Sequence, residues 1–317
     1  MRTILAIPVW PERGLDRFFA VLERAREVWP SIGGEVRVPP GGWEAAAEAV
    51  RELRSHGFTA AVHLPPLEEF RLEESAAWLA ETRPDWAVVH GGTAAEGEVG
   101  DCEDFLRFLE DRAVRLKILA ASGVPVFVEN APPREPVRDS GNPGTALDVR
   151  PLIRAGMFAR DLLFLARMAG CGVMADTEHF LDAIFAVRER ARQNGNLRLE
   201  ARERSFADRL GFVVREGEPL WAGDWLRGLT LECELFLLQP KRFHVTGSRA
   251  AVSAGKITSH AELKDDPFGH YLMRLVLSYW PLSVTVESCH RDGVFDWGVV
   301  ECSVLAVARM LAVAEKQ

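Results

Sequence analysis

Apolar and polar positions alternate along the chain in two textures. Short blocks rich in Val, Ile, Phe and Ala occupy Thr3–Val9, Glu35–Val38, Thr59–His63, Trp86–His90, Val124–Glu129, Gly172–Asp176, Arg242–Val245 and Ser283–Glu287. Their brevity and β-branched content predict strands. Between them run longer stretches with apolar residues three and four apart: Trp43–Ser55, Leu72–Thr82, Asp104–Ala121, Val149–Ala169, His179–Gln193, Leu226–Leu238 and Pro267–Trp280. That spacing predicts helices with one buried stripe. Asp104 follows an acidic turn, and Asp148 precedes Val149 and Pro151, the order expected at helix starts.

Strict alternation of strand and helix implies βα units around a parallel sheet. Eight units favour closure into a single (β/α)8 TIM barrel, an α/β fold spanning residues 1–317 as one domain. No GxGxxG follows the first strand and no GxxxxGK[ST] occurs, so a dinucleotide or P-loop fold is not indicated. Two segments exceed ordinary loop length, Ala131–Leu147 (APPREPVRDSGNPGTAL) and Asn194–Gly223. In a barrel such long βα loops sit over the C-terminal mouth, which makes both candidate lids.

Composition narrows the partners. The chain has 317 residues, 48% hydrophobic and 26% charged, enough to bury a core without covalent staples. Its five cysteines are scattered without a CxxC pair, so neither a thiolate zinc site nor a disulfide framework is indicated. With 38 Lys+Arg against 46 Asp+Glu the net charge is −8, which argues against nucleic acid and anionic membrane as partners. The strongest apolar run, LLFLARMAGCGVMA, is interrupted by Arg167 and falls short of the ~20 residues a membrane span needs. The first residues read as a strand rather than a signal peptide. The expectation is a cytoplasmic protein acting on a small molecule, with a homo-oligomer allowed.

Chemistry concentrates at the strand ends. AVHLPP places His63 at the tip of the third strand, AVVHGG places His90 at the fourth, and VFVENAP places Glu129 at the fifth. GVMADTEHF carries Asp176 and His179, RFHVTGS carries His244, SVTVES carries Glu287, and His260 follows the seventh strand in TSHAEL. Each alone is an ordinary loop residue. Together, in a parallel barrel, these tips converge on one mouth, where clustered carboxylates are costly unless a cation neutralises them. Oxygen and nitrogen donors without sulfur suit Mn²⁺, Zn²⁺, Co²⁺ or Fe²⁺. Trp10, at the first strand's tip, is a candidate for stacking on a sugar. His56 is expected to cap a helix at the opposite end, and His270 to be a helical surface or packing residue; His290, three residues after Glu287, reads more readily as a loop residue than as part of the mouth. Arg249, Lys256 and Arg291 read as solvated loop charges.

From the third strand to the eighth the pattern resembles the xylose isomerase-like barrels, which include sugar isomerases, epimerases and endonuclease IV. The resemblance rests on the Glu of VEN, on Asp176-Thr177-Glu178-His179, on the seventh-strand His and on the eighth-strand Glu. It implies that Glu129, Asp176, His244 and Glu287 share one metal and that His63 and His90 hold a second. His179 and His260 would help to hold a third in an endonuclease IV-like member, while in epimerases the residue at His179 contacts substrate. The endonuclease pattern has Asp-Arg-His where Thr258-Ser259-His260 stands here, so the carboxylate of a third site is missing from that stretch.

Two reactions follow. A sugar isomerase or epimerase removes a proton α to a carbonyl and returns it, with Glu129 and Glu287 as the acid–base pair on opposite sides of the barrel and one or two divalent ions as Lewis acid. A phosphodiesterase of the endonuclease IV type activates water with several metals instead. The acidic net charge and the missing carboxylate favour the first.

Overall fold

The computed structural model describes residues 2–39, 41–94, 98–99, 102–132, 154–184, 230–247, 250–251, 256–257, 260–291 and 294–316. Eight strands close into a barrel: β1 (Ile4–Val9), β2 (Ile32–Arg37), β3 (Thr59–His63), β4 (Ala87–His90), β5 (Val126–Glu129), β6 (Gly172–Asp176), β7 (Arg242–Val245) and β8 (Ser283–Val286). Every barrel pair is parallel, and β8 returns to β1. Helices follow the strands in turn: α1 (Leu15–Val28), α2 (Trp43–Ser55), α3 (Leu72–Thr82), α4 (Cys102–Ala120), α5 (Ala159–Ala169), α6 (Leu231–Leu238), α7 (Pro267–Leu277) and α8 (Trp297–Ala314). A further helical segment, 177–184, begins directly after β6. This is the (β/α)8 architecture that the alternation implies.

The helices form where the stripe spacing places them. In α2 the buried residues are Ala46, Ala49, Val50 and Leu53, and in α1 they are Phe18, Val21, Leu22 and Ala25. Thr230, Asp266 and Asp296 cap α6, α7 and α8 by accepting the backbone N–H of Cys233, Gly269 and Gly298. Each cap satisfies a donor that the first helical turn leaves open, worth about 1 kcal/mol.

Several boundaries differ from expectation. β2 starts at Ile32 rather than Glu35, because Gly33 and Gly34 conceal it. A Cβ on Gly33 would lie 2.5 Å from the Thr59 carbonyl, so the approach of β2 to β3 needs glycine there. α5 begins at Ala159; residues 154–158 precede it as bridge and turn, and 149–153 lie outside the described residues. Asp148, most of Ala131–Leu147 and all of Asn194–Gly223 also lie outside them. The apolar-run reading overlooked α8, an 18-residue helix of mean hydropathy 1.7, long and apolar enough to cross a membrane. Here it packs inward, with Val299, Val300, Val304, Val307, Ala308 and Leu311 buried.

Side chains alternate along each strand. Leu5, Ile7, Val9, Val62, Val89, Val128, Phe243, Val245, Val284 and Val286 pack outward with the helices. The opposite set fills the barrel. Its lower part is a plug of Ile4, Ala61, Trp86, Val88, Phe127 and Met174. The Arg242 guanidinium lies 4.0 Å from the Trp86 ring centre and donates to Ser283 Oγ at 2.9 Å. Two residues beyond Ala61, Val88, Phe127 and Met174 stand His63, His90, Glu129 and Asp176. The strand period that builds the plug therefore points these residues into the mouth.

Candidate metal centre

Glu129 is the hub. Its carboxylate is fully buried; Oε1 lies 2.5 Å from His244 Nδ1, and Oε2 lies 2.8 Å from His63 Nε2 and 3.6 Å from His90 Nε2. His244 Nδ1 also lies 3.0 Å from Glu287 Oε1 and 4.0 Å from Asp176 Oδ2. Register explains the meeting: Glu129 is opposite His90 across β4–β5, and Asp176 is opposite His244 across β6–β7. His179 Nε2 is 3.6 Å from Asp176 Oδ2, and His260 Nδ1 is 3.7 Å from Glu287 Oε2. All eight residues singled out in the sequence thus gather at one mouth. A cleft of about 200 Å³ opens onto them, lined by Trp10, Arg37, His90, Glu129, His179, His260 and Glu287. Glu129 and Glu287 stand at the ends of β5 and β8, which have β6 and β7 between them in the closed ring. They face each other across the single His244 nitrogen.

Carboxylates crowd the mouth. Burial raises the Asp176 pKa, and the neighbouring Glu129 and Glu178 charges add to the rise. Its Oδ2 is buried with no hydrogen-bond partner among the described residues, as is His90 Nδ1. Burial would also raise Glu129, but the His244 and His90 charges hold its carboxyl well below the usual range. His63 donates from Nδ1 to the Leu64 carbonyl at 3.0 Å, and burial lowers its pKa. A neutral ring with that tautomer turns an acceptor nitrogen toward the ionised Glu129. Two acceptors 2.8 Å apart call for a positive charge between them. Donor atoms of His63, His90 and Glu129 form one compact group, and those of Glu129, Asp176 and His244 another. Both fit a divalent cation.

Reading strand tips one at a time misses four residues. Glu35 is fully buried on β2 and lies 3.1 Å (Oε2) from His244 Nε2. Arg37, two residues on, pairs with Glu287. The alternation IGGEVR, with two charges on one face of an otherwise apolar strand, was the available signal. Asn130 ties β5 to β6, donating from Nδ2 to the Asp176 carbonyl at 2.9 Å and accepting the Asp176 N–H at 2.6 Å. Its backbone carbonyl accepts from His179 Nδ1 at 2.7 Å. Glu178 accepts from Thr246 Oγ1 and from the backbone N–H of His260, each at 2.9 Å. That second bond holds His260 at φ 54°, a left-handed conformation uncommon outside glycine.

No protein-family model and no curated protein matches the chain. Solved structures do. The chain is similar to an L-ribulose 3-epimerase, with 11% identity and a TM-score of 0.53, over 100% of this chain and 99% of that one. It is similar to the D-psicose 3-epimerase of Clostridium cellulolyticum, solved with D-tagatose, with 10% identity and a TM-score of 0.52, over 99% and 98%. It is also similar to a Thermus thermophilus protein, TTHB071, soaked with ZnCl2, with 18% identity and a TM-score of 0.50, over 98% of both. The fold, a closed (β/α)8 barrel, is the one these structures share. At these identities the likeness speaks for the fold, and the site has to be argued from its own residues.

The four residues that the xylose isomerase-like pattern groups on one metal are the ones that meet around His244 Nδ1. Sequence order hid one carboxylate: Glu178 Oε2 lies 3.7 Å from His260 Nδ1, although the Thr258-Ser259-His260 stretch carries no acid. His56 and His270 fall where expected. His56 is the C-cap of α2, stacked on Phe19 at 4.4 Å, and His270 on α7 pairs with Asp265 at 2.7 Å. His290 lies 5.5 Å from His260, ring to ring, and Trp10 lines the cleft. The side chains of Arg249, Lys256 and Arg291 lie outside the described residues.

Proposed function

We propose that the protein is a divalent-metal-dependent enzyme of the sugar isomerase or epimerase type. The observation that carries this is the convergence of Glu129, Asp176, His244 and Glu287 on one buried point beside an open cleft. Those four residues would hold one ion, and His63 and His90 with Glu129 a second. Bound there, a divalent ion supplies Lewis-acid polarisation of a substrate oxygen. The neighbouring epimerases, by their names, act on small ketoses, and a small polar substrate suits a cleft of about 200 Å³.

The chain's own residues supply the proton chemistry. Glu129 and Glu287 flank the cleft, and one carboxylate removes the proton α to the carbonyl while the other returns it. Asn130 fixes the backbone of Asp176, whose Oδ1 in turn accepts the N–H of Glu178 at 2.6 Å and of His179 at 3.0 Å. With Nδ1–H committed to the Asn130 carbonyl, His179 is fixed in ring orientation and lines the cleft as a substrate contact. Trp10 offers an apolar ring for the sugar face.

A second reading, the multinuclear phosphodiesterase, is favoured by the separate His63–His90–Glu129 group. One experiment separates the two. Metal-loaded protein is incubated in D₂O with a panel of ketopentoses and ketohexoses, and in parallel with an abasic DNA duplex. Deuterium entering the α carbon of a sugar, with the duplex intact, is the expected result. Metal-dependent nicking with no exchange in any sugar would replace the first reading with the second.

A further inference from the structure

Three site histidines share one arrangement: one ring nitrogen is tied to an acceptor away from the cluster, and the other faces it. For His63 the tie is the Leu64 carbonyl at 3.0 Å, and for His179 the Asn130 carbonyl at 2.7 Å. For His244 it is a carboxylate. Glu35 Oε2 and Oε1 lie 3.1 and 2.9 Å from His244 Nε2, and both side chains are fully buried. Glu35 is itself held: Thr285 Oγ1 donates to its Oε2 at 3.2 Å, and the Arg37 guanidinium lies 3.9 Å from Oε1. Among the described residues it is the only charged anchor of the three, and it stands one strand period below the mouth, facing Thr285 and His244.

We infer that Glu35 is a positioning residue: it accepts the Nε2–H of His244 and so presents Nδ1 as the ligating nitrogen to Glu129, Asp176 and Glu287. The inference rests on the proposed metal centre but concerns a residue outside its ligand set. An imidazole has two nitrogens, and a metal takes whichever carries the free lone pair; the hydrogen bond at the other nitrogen selects the tautomer. A buried carboxylate also raises the basicity of the ring more than a backbone carbonyl does. Replacing such an anchor ordinarily costs about 10- to 100-fold in metal affinity. An alternative role, ligation by Glu35 itself with His63 and His244, is open because their donor atoms are also close together. One fact opposes it: ligation through Nε2 would turn the lone pair of His244 away from the three carboxylates around Nδ1, those of Glu129, Asp176 and Glu287.

The test uses the full chain labelled with ¹⁵N-histidine, with zinc as the probe. His244 is assigned by its loss in His244→Gln. In zinc-loaded wild type, Nδ1 should show the bound-nitrogen shift while Nε2 keeps a slowly exchanging proton. In metal-free protein that Nε2–H should also be protected, and Glu35→Leu should abolish the protection. Zinc affinity, measured by competition with a chelator, should fall about 10- to 100-fold in Glu35→Leu and less in Glu35→Gln, which retains an acceptor. Thr285→Val should give a smaller loss in the same direction. Zinc bound through Nε2 in wild type overturns the inference. So does loss of one whole equivalent of zinc in Glu35→Gln, which would make Glu35 a ligand. If wild type binds no zinc, the metal centre fails; the metal-free Nε2–H then decides whether Glu35 anchors His244, and an unprotected proton there sinks this inference as well.

Discussion

The lower and upper halves of the barrel interior are built by the same strands and do opposite work. Below, Trp86, Val88, Phe127 and Met174 pack against one another as an apolar plug. Two residues further along β4, β5 and β6 stand His90, Glu129 and Asp176, charged or titratable. One step of the strand period separates packing from chemistry. The plug is tolerant of pH and blind to metal; the mouth is electrostatically incomplete, with a buried Asp176 Oδ2 that has no hydrogen bond among the described residues. The two halves should therefore fail in different ways when cut.

The largest effect is expected at the top. Glu129→Gln or Glu287→Gln removes a charge and a basic site while keeping size, and turnover at saturating metal should fall about 10²- to 10⁴-fold, the scale of general acid–base catalysis. The fold should survive, as judged by an unchanged far-ultraviolet circular dichroism spectrum. Wild-type deuterium exchange in both metal-loaded variants rules out the glutamate pair.

Cutting the plug should do the converse. Phe127→Ala or Trp86→Ala opens a cavity under the site and should cost about 3–5 kcal/mol of stability, read by urea denaturation. Where folded protein remains, its metal stoichiometry should match wild type. A stable variant that has lost its metal would show that the halves are not separable.

Next in size is the response to pH. Burial alone would lower the His244 pKa, but the Glu129 and Glu35 charges raise it from 6.5 to about 10. Its contribution to stability is complete below 6.5 and is lost as pH rises toward 10. Burial would raise Glu35, but the His244 charge and hydrogen bond lower it from 4.5 to about 2, so its contribution is complete above 4.5 and is lost as pH falls toward 2. In chelator-treated protein both are present between pH 4.5 and 6.5. The melting-temperature difference between wild type and His244→Asn should peak in that window. A difference that stays flat from pH 6.5 to 10 contradicts the pairing.

The smallest effect lies outside the barrel. Asp266→Ala removes the cap of α7 and should cost about 1 kcal/mol without touching metal content.

The fold was legible because its signals are local. Trp43–Ser55 and Leu72–Thr82 match α2 and α3 residue for residue, since a 3.6 period with polar flanks reports directly on a half-buried helix. β2 was clipped because glycine carries no strand signal, although close contact with Thr59 is the reason it is there. The ligands at strand tips were readable one by one; their shared nitrogen was not. Glu35 escaped because its partner is His244, 209 residues away, and only barrel closure brings β2 beside that ring. Glu178 escaped for a similar reason: its neighbour His260 is 82 residues on.

The central claim is that the mouth holds a divalent metal through Glu129, Asp176, His244 and Glu287. The most direct test is anomalous diffraction above the zinc absorption edge from crystals grown with zinc. The account predicts a peak within bonding distance, about 2.0–2.3 Å, of all four residues, with His244 bound through Nδ1. A mouth without an anomalous peak at saturating zinc, or zinc found only at surface residues, would contradict it.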